Sequence, residues 1–277
     1  MAKIIFIDVD GTLVDYENNV PQSAIEACKL SRAKGNKIYL STGRSKAEMP
    51  GFIWDIGFDG MIGGNGSYIE SDGKVVCHKM ISGEDCKKIV DYLNGNNLDF
   101  YLESNSGLFA SKNFKTGAIK ALREYAGKKG LANADTVTVE EIFTGMIFDG
   151  ELYRNDVNKI SYALHSYDDY VQTSKTFDYL QNGTWGGAGE TALFGDIGLK
   201  DITKESAIKL LLDYLGADVK DTFAFGDAKI DISMLNYCNT GIAMGNGGEE
   251  IKAMADYITD DVNADGLYNA FAHFNLL

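Results

Sequence analysis

Short apolar runs alternate with helical patterns in the first third of the chain. Ile4 to Ile7 is unbroken apolar sequence, a helical stretch through Ile25 and Cys28 closes at Gly35, and Ile38 to Leu40 is apolar again. Such β-α-β alternation predicts a parallel sheet with helices on its faces. The last third repeats the habit, with a helical period from Thr203 to Leu215, a run from Thr222 to Phe225, a short helix from Ile232 to Leu235, and Gly241 to Ala243. The expected class is α/β: a doubly wound, Rossmann-like parallel-sheet core assembled from residues 1–82 and 190–277.

Residues 83–189 read differently. A helix is predicted near Glu84 to Leu93, and a hairpin from Phe100 to Leu102 and Leu108 to Ala110 around Asn105-Ser106-Gly107. Helices near Ala118 to Tyr125 and Asp168 to Leu180 follow, with strand-like Lys159 to Leu164 between them. This is an inserted α+β cap domain, and the glycine-rich Trp185 to Gly189 predicts a hinge back to the core.

Length and charge narrow the possibilities. The 277 residues suffice for one large or two medium domains, and 45% hydrophobic with 24% charged residues is an ordinary globular composition. A net charge of −14 repels polyanions, which argues against nucleic acid and anionic membrane as partners. Any anionic substrate therefore needs a local positive site. Cys28, Cys77, Cys86 and Cys238 form no C-x-x-C pair, no signal-peptide pattern precedes Lys3 to Ile7, and no apolar run approaches the roughly 20 residues that cross a bilayer. These features predict a cytoplasmic protein with buried thiols; they say nothing of its oligomeric state.

The chemistry-bearing residues begin directly after the first apolar run. In Asp8-Val9-Asp10-Gly11-Thr12 the two acids are two residues apart, so an extended chain projects both from one face at a strand end. The plain alternative is a solvated Asp-Gly turn, and a calcium loop is excluded because Thr12 and Leu13 stand where it needs its third acid and its glycine. Asp227 and Asp231 form a second acidic step, and His78, His165 and His273 are too dispersed to make a site. Clustered carboxylate oxygens without His or Cys partners suit a hard cation, for which Mg2+ is the natural choice. Gly187 to Ala192 matches G-x-G-x-x-A formally, without the strand and helix that a dinucleotide site requires.

Four motifs in order resemble those of the haloacid dehalogenase-like hydrolases. They are Asp8-Val9-Asp10-Gly11-Thr12-Leu13; Ser41-Thr42-Gly43-Arg44 after a strand; Lys204 near a helix start; and Gly226-Asp227-Ala228-Lys229-Ile230-Asp231. The Thr-Gly-Arg, Gly64-Asn65-Gly66, Ala243-Met244-Gly245-Asn246 and the large insert are similar to the Cof-type branch. Many of those relatives carry Asn where Ile230 stands, so one amide ligand or hydrogen bond is missing here.

The resemblance implies a Mg2+-dependent phosphatase of a small phosphorylated metabolite, a sugar phosphate or similar. In it Asp8 forms an aspartyl phosphate and Asp10 serves as acid and base. Thr42, Gly43 and Lys204 would bind phosphate, Asp8, Asp10, Asp227 and Asp231 the metal, Asp10 through its backbone carbonyl, and Arg44 and Asn65 the substrate. Two alternatives share these residues: a phosphomutase acting on a sugar phosphate, and a non-catalytic phospho-ligand binding protein. The intact Asp8 and Asp10 pair argues against the second, since binding alone needs no nucleophile beside an acid.

Overall fold

A computed structural model describes residues 2–277. The chain opens with β1 (Ile4–Ile7), β2 (Lys37–Ser41), β3 (Gly60–Gly63), β4 (Tyr68–Ser71) and β5 (Lys74–His78). It then enters a second sheet made of β6 (Phe100–Ser104), β7 (Gly107–Ala110), β8 (Val157–Ala163), β9 (Gln181–Trp185) and β10 (Phe194–Gly198). It returns with β11 (Thr222–Gly226), β12 (Thr240–Ala243) and β13 (Tyr257–Ile258).

The first sheet has the order β13-β12-β11-β1-β2-β3-β4-β5. Its strands from β13 to β3 are parallel, and β4 and β5 run antiparallel along one edge. All four residues of β1 are buried because helices cover both faces, which explains an unbroken apolar run in place of alternation. Ile5 and Ile7 pack with Ala24, Ala27 and Cys28 of the helix Gln22–Ala33 and with Phe271 of the helix Gly266–His273. Ile4 and Phe6 point the other way, onto Ile208 and Leu211 of the helix Lys204–Leu215 and Met234 of the helix Ile232–Tyr237. The expected α/β class with a parallel sheet is what the chain forms.

The second sheet, β7-β6-β8-β10-β9, is antiparallel throughout. One face carries Phe100, Leu102, Ile160 and Tyr162 against Ile89 and Leu93 of the helix Gly83–Gly95. Tyr101 and Phe194 belong to the opposite face, packed with Phe114 and Leu122.

Two compact units result: residues through 44, 49–78 and 202–277, and residues 45–48 with 79–201. The expected return to the core at residue 190 is corrected by β10, whose Phe194 to Gly198 pair with Ala163 to Lys159 of β8 in the second sheet. The glycines between Trp185 and Gly189 accordingly lie between two strands of the second unit instead of hinging back to the core. Residues 45–48 join that unit because Asn105 Oδ1 accepts from the Lys46 amide at 3.0 Å and Asn158 Nδ2 donates to Ser45 Oγ at 2.8 Å. The helix expected to reach Leu180 ends at Thr176.

Cys28, Cys86 and Cys238 are buried as expected, whereas Cys77 is half-buried, and all four are free thiols. Burial pushes Cys28 and Cys238 up to about 12, so neither is a thiolate near neutral pH. Among the described residues no helix is long and apolar enough to cross a membrane.

Candidate active site

Three neighbouring strands deliver the sequence motifs to one end of the first sheet. β11, β1 and β2 are parallel and in register, Phe225 beside Ile7 and Ile7 beside Leu40. The residues that follow, Asp227, Asp8 and Thr42, therefore emerge together at the carboxyl ends, where open α/β sheets hold ligands. The Asp8 amide donates to Phe225 O at 3.0 Å, which extends the pairing into the site.

Lys204 comes from the first turn of the helix that packs on the Ile4 and Phe6 face of β1. Thr203 caps its helix, with Oγ1 accepting from the Ser206 amide at 3.0 Å and the Thr203 amide donating to Ser206 Oγ at 3.1 Å. That cap fixes the first turn and directs Lys204 inward, where it is 1% exposed. Its Nζ donates to Asp8 Oδ1 at 2.6 Å, Ser41 O at 2.6 Å and Asp231 Oδ1 at 2.5 Å, which uses all three ammonium protons.

Burial and then the charge of Asp231 push the Asp8 carboxyl well above the usual range, with Lys204 opposing. Burial works against the Lys204 charge as well, but Asp231 and Asp8 outweigh it and hold the ammonium above its ordinary value. Lys204 is thus a permanent cation in an acidic pocket, the local positive charge that an anionic substrate requires.

Asp8, Asp227 and Asp231 are buried with carboxylate oxygens within 4.8 Å of one another. An all-oxygen donor set of this kind fits a hard divalent cation. Asp231 has further commitments: its Oδ2 accepts from the amides of Asp227 at 3.2 Å and Ala228 at 3.1 Å, closing the turn after β11. Gly11 makes the approach of Asp227 possible. Its φ of +86° suits glycine, and a Cβ there would lie 2.3 Å from Asp227 Oδ2.

The Asp10 carboxylate turns away from this group. Arg44 grips it with a fork, Nε to Oδ2 at 2.9 Å and Nη2 to Oδ1 at 2.5 Å, while the Asp10 side chain stays 51% exposed. Arg44 Nη2 also donates to Asn18 Oδ1 at 2.7 Å. Thr42 is buried, and its Oγ1 accepts from the Arg44 amide at 3.1 Å. Asn65 sits in the left-handed region, φ 56°, with its amide donating to Thr42 O at 3.0 Å. Its buried Oδ1 has no hydrogen-bond partner and lies 3.1 Å from where a Gly43 Cβ would stand. Ile230 is 54% exposed and offers no polar atom.

Sequence reasoning did not find Tyr16, whose hydroxyl donates to Asp227 Oδ2 at 3.0 Å, nor Asn18 on Arg44. Burial and then the Asp227 charge push the Tyr16 phenol up to about 12, so it keeps its proton near neutral pH. The only signal in the sequence is the turn-forming Asp15, Asn18 and Asn19, which predicts a tight loop without saying where it points.

Known proteins place this geometry. The profile of the haloacid dehalogenase-like hydrolases matches residues 5–271. The phosphatase YwpJ of Bacillus subtilis (strain 168) is 23% identical over 284 residues, spanning 98% of this chain and 99% of that protein. A crystal structure of a hypothetical protein from Geobacillus kaustophilus HTA426 superposes with a TM-score of 0.83 at 24% identity, covering 100% of both chains. The subclass IIB sugar phosphatase BT4131 superposes with a TM-score of 0.75 at 26% identity, again over 100% of both chains. With its profile matched over nearly the whole length and its acidic strand ends gathered around a buried lysine, this chain belongs to the haloacid dehalogenase-like hydrolase family.

Proposed function

We propose that the protein is a Mg2+-dependent phosphatase of a small phosphorylated metabolite, a sugar phosphate or similar, working through a phosphorylated Asp8. One contrast carries the reading: the Asp8 side chain is 10% exposed and pinned by Lys204, whereas the Asp10 side chain is 51% exposed and pinned by Arg44. The first is an immobilised nucleophile. The second reaches solvent, where a leaving oxygen and a water can exchange protons with it. The likeness to a sugar phosphatase supports the substrate class.

A carboxylate oxygen of Asp8 bonds to phosphorus as the bond from phosphorus to the leaving oxygen breaks, and Asp10 gives that oxygen its proton. Asp10, now a carboxylate, takes a proton from water. The water oxygen bonds to phosphorus, the bond to Asp8 breaks, and inorganic phosphate leaves. Each oxygen in the Arg44 fork keeps a lone pair for the proton it handles. The Thr42 hydroxyl and the Gly43 amide donate to the phosphoryl oxygens, Lys204, its three protons already committed, supplies a fixed positive charge beside them, and Arg44 orients Asp10. Asp8 and Asp227 would hold Mg2+, with Asp231 anchoring Lys204 beside them. When bound, the ion offsets the negative charge that phosphoryl oxygens bring to these carboxylates.

The test is a panel of phosphorylated metabolites with purified protein. Stoichiometric inorganic phosphate is expected, abolished by EDTA and restored by Mg2+, with no bisphosphate activator. An isomerised sugar phosphate with little free phosphate would replace hydrolysis by phosphoryl return; no turnover of any phosphomonoester would overturn the assignment.

Cation binding should also be pH-dependent. Asp8 keeps a proton in the fold at pH values where the unfolded chain has lost it, so its contribution favours folding at low pH. That contribution fades as pH rises from about 4 through its raised folded value. A cation competes with that proton, so Mg2+ should raise the melting temperature more at about pH 8 than at about pH 5. At a hundredfold excess over Kd the stabilisation is about 2.7 kcal/mol. Equal shifts at both pH values in a thermal melt would take Asp8 out of the cation site.

A further inference from the structure

We propose that Tyr16 is a positioning residue that orients Asp227 to receive the divalent cation, an inference that rests on the Mg2+ reading above. A carboxylate at a strand end can rotate about its last bond, and a small cation tolerates little error in where an oxygen sits. Here both Asp227 oxygens are engaged by residues of the segment that follows β1. Thr12 Oγ1 donates to Oδ1 at 3.3 Å, and the Tyr16 hydroxyl donates to Oδ2 at 3.0 Å. The exposed, wholly apolar side chain of Ile230 supplies no donor from the turn after β11.

Tyr16 holds this position because its loop is tightly closed. Asp15 Oδ1 accepts from the amides of Glu17 at 2.9 Å and Asn19 at 2.8 Å, and Asn19 Nδ2 donates to Asp15 Oδ2 at 3.2 Å. The Asp15 amide donates to Asn19 O at 2.9 Å, and Asn18 takes a φ of 64° to complete the turn. Tyr16 is 39% exposed, so its ring is not core packing that the fold depends on. The same loop sends Asn18 to Arg44, and through it to Asp10. The five residues 15–19 thereby brace Asp227 and Asp10, two of the three carboxylates that the proposed reaction uses.

The experiment titrates Mg2+ into full-length wild type and Tyr16→Phe by calorimetry without substrate, alongside metal-free thermal melts. Loss of one hydrogen bond to a ligating carboxylate should weaken Mg2+ roughly tenfold or more. The Mg2+ concentration for half-maximal phosphate release should rise by the same factor, while the metal-free melting temperature stays at the wild-type value. Tyr153→Phe, which removes an exposed phenol from Asp91 at 2.6 Å, should leave the Mg2+ affinity at the wild-type value. A wild type that binds Mg2+ with an equally tight Tyr16→Phe overturns the role of Tyr16 alone. A weakened affinity matched by a lower metal-free melting temperature also overturns it, because loosening of the fold would then be the cause. A wild type that does not bind Mg2+ overturns the cation reading together with this inference.

Discussion

Asp8→Asn should abolish turnover of every phosphomonoester, by roughly ten-thousandfold or more in kcat, while leaving a folded protein. An amide has the shape of the carboxylate, and its oxygen can still accept from Lys204, which sits 2.6 Å from Asp8 Oδ1. It cannot form a stable link to phosphorus and release it to water. Burial and the charge of Asp231 already disfavour a charged Asp8, so the neutral side chain should make the metal-free protein at least as stable as wild type. It should also flatten the dependence of the Mg2+ thermal shift on pH. Activity within about tenfold of wild type would remove Asp8 as nucleophile. An unfolded variant would instead show that the charge is structural.

Lys204→Met should have the second largest effect, and it should reach both rate and stability. Without the ammonium, Asp8 and Asp231 face each other in a buried pocket with no compensating charge. Removing one partner of a buried ion pair costs about 3–5 kcal/mol. Denaturant melts of metal-free protein should show that loss, and Mg2+ should recover part of it by supplying positive charge to Asp8, the carboxylate that the lysine and the proposed cation share. The rate should remain low even with Mg2+, by roughly a thousandfold, because the phosphoryl oxygens lose a fixed cation. Lys204→Arg should not restore it, since a 1% exposed site fitted to three ammonium bonds has no room for a planar fork. A Lys204→Met protein within about 1 kcal/mol of wild type in the metal-free state would show that the carboxylates take up protons to avoid the penalty.

Where the local signal was strong, expectation and structure agree. The helix predicted from Thr203 begins at Lys204 because Thr203 and Ser206 cap one another, and the run from Ile4 to Ile7 is a central parallel strand. β10 escaped because Phe194-Gly195-Asp196-Ile197-Gly198 contains two glycines and an acid, a weak strand by composition. Pairing with β8 and β9 on both sides overrides that weakness. Arg44 shows the same limit inside the site. Its place after Thr42 was legible, but whether a guanidinium meets substrate or a neighbouring carboxylate depends on a side chain 34 residues away.

The sequence by itself determined the order and type of the elements around the acid pair. It also determined which oxygens and which lysine were available, because strand period, helix caps and residue chemistry act over a few residues. Only the tertiary structure decided that Asp231 closes a turn and anchors Lys204, that Arg44 grips Asp10, and that Tyr16 reaches Asp227 across 211 positions. Those contacts arise when β11, β1 and β2 align their ends, and long-range register leaves no periodic trace in any one segment of the chain.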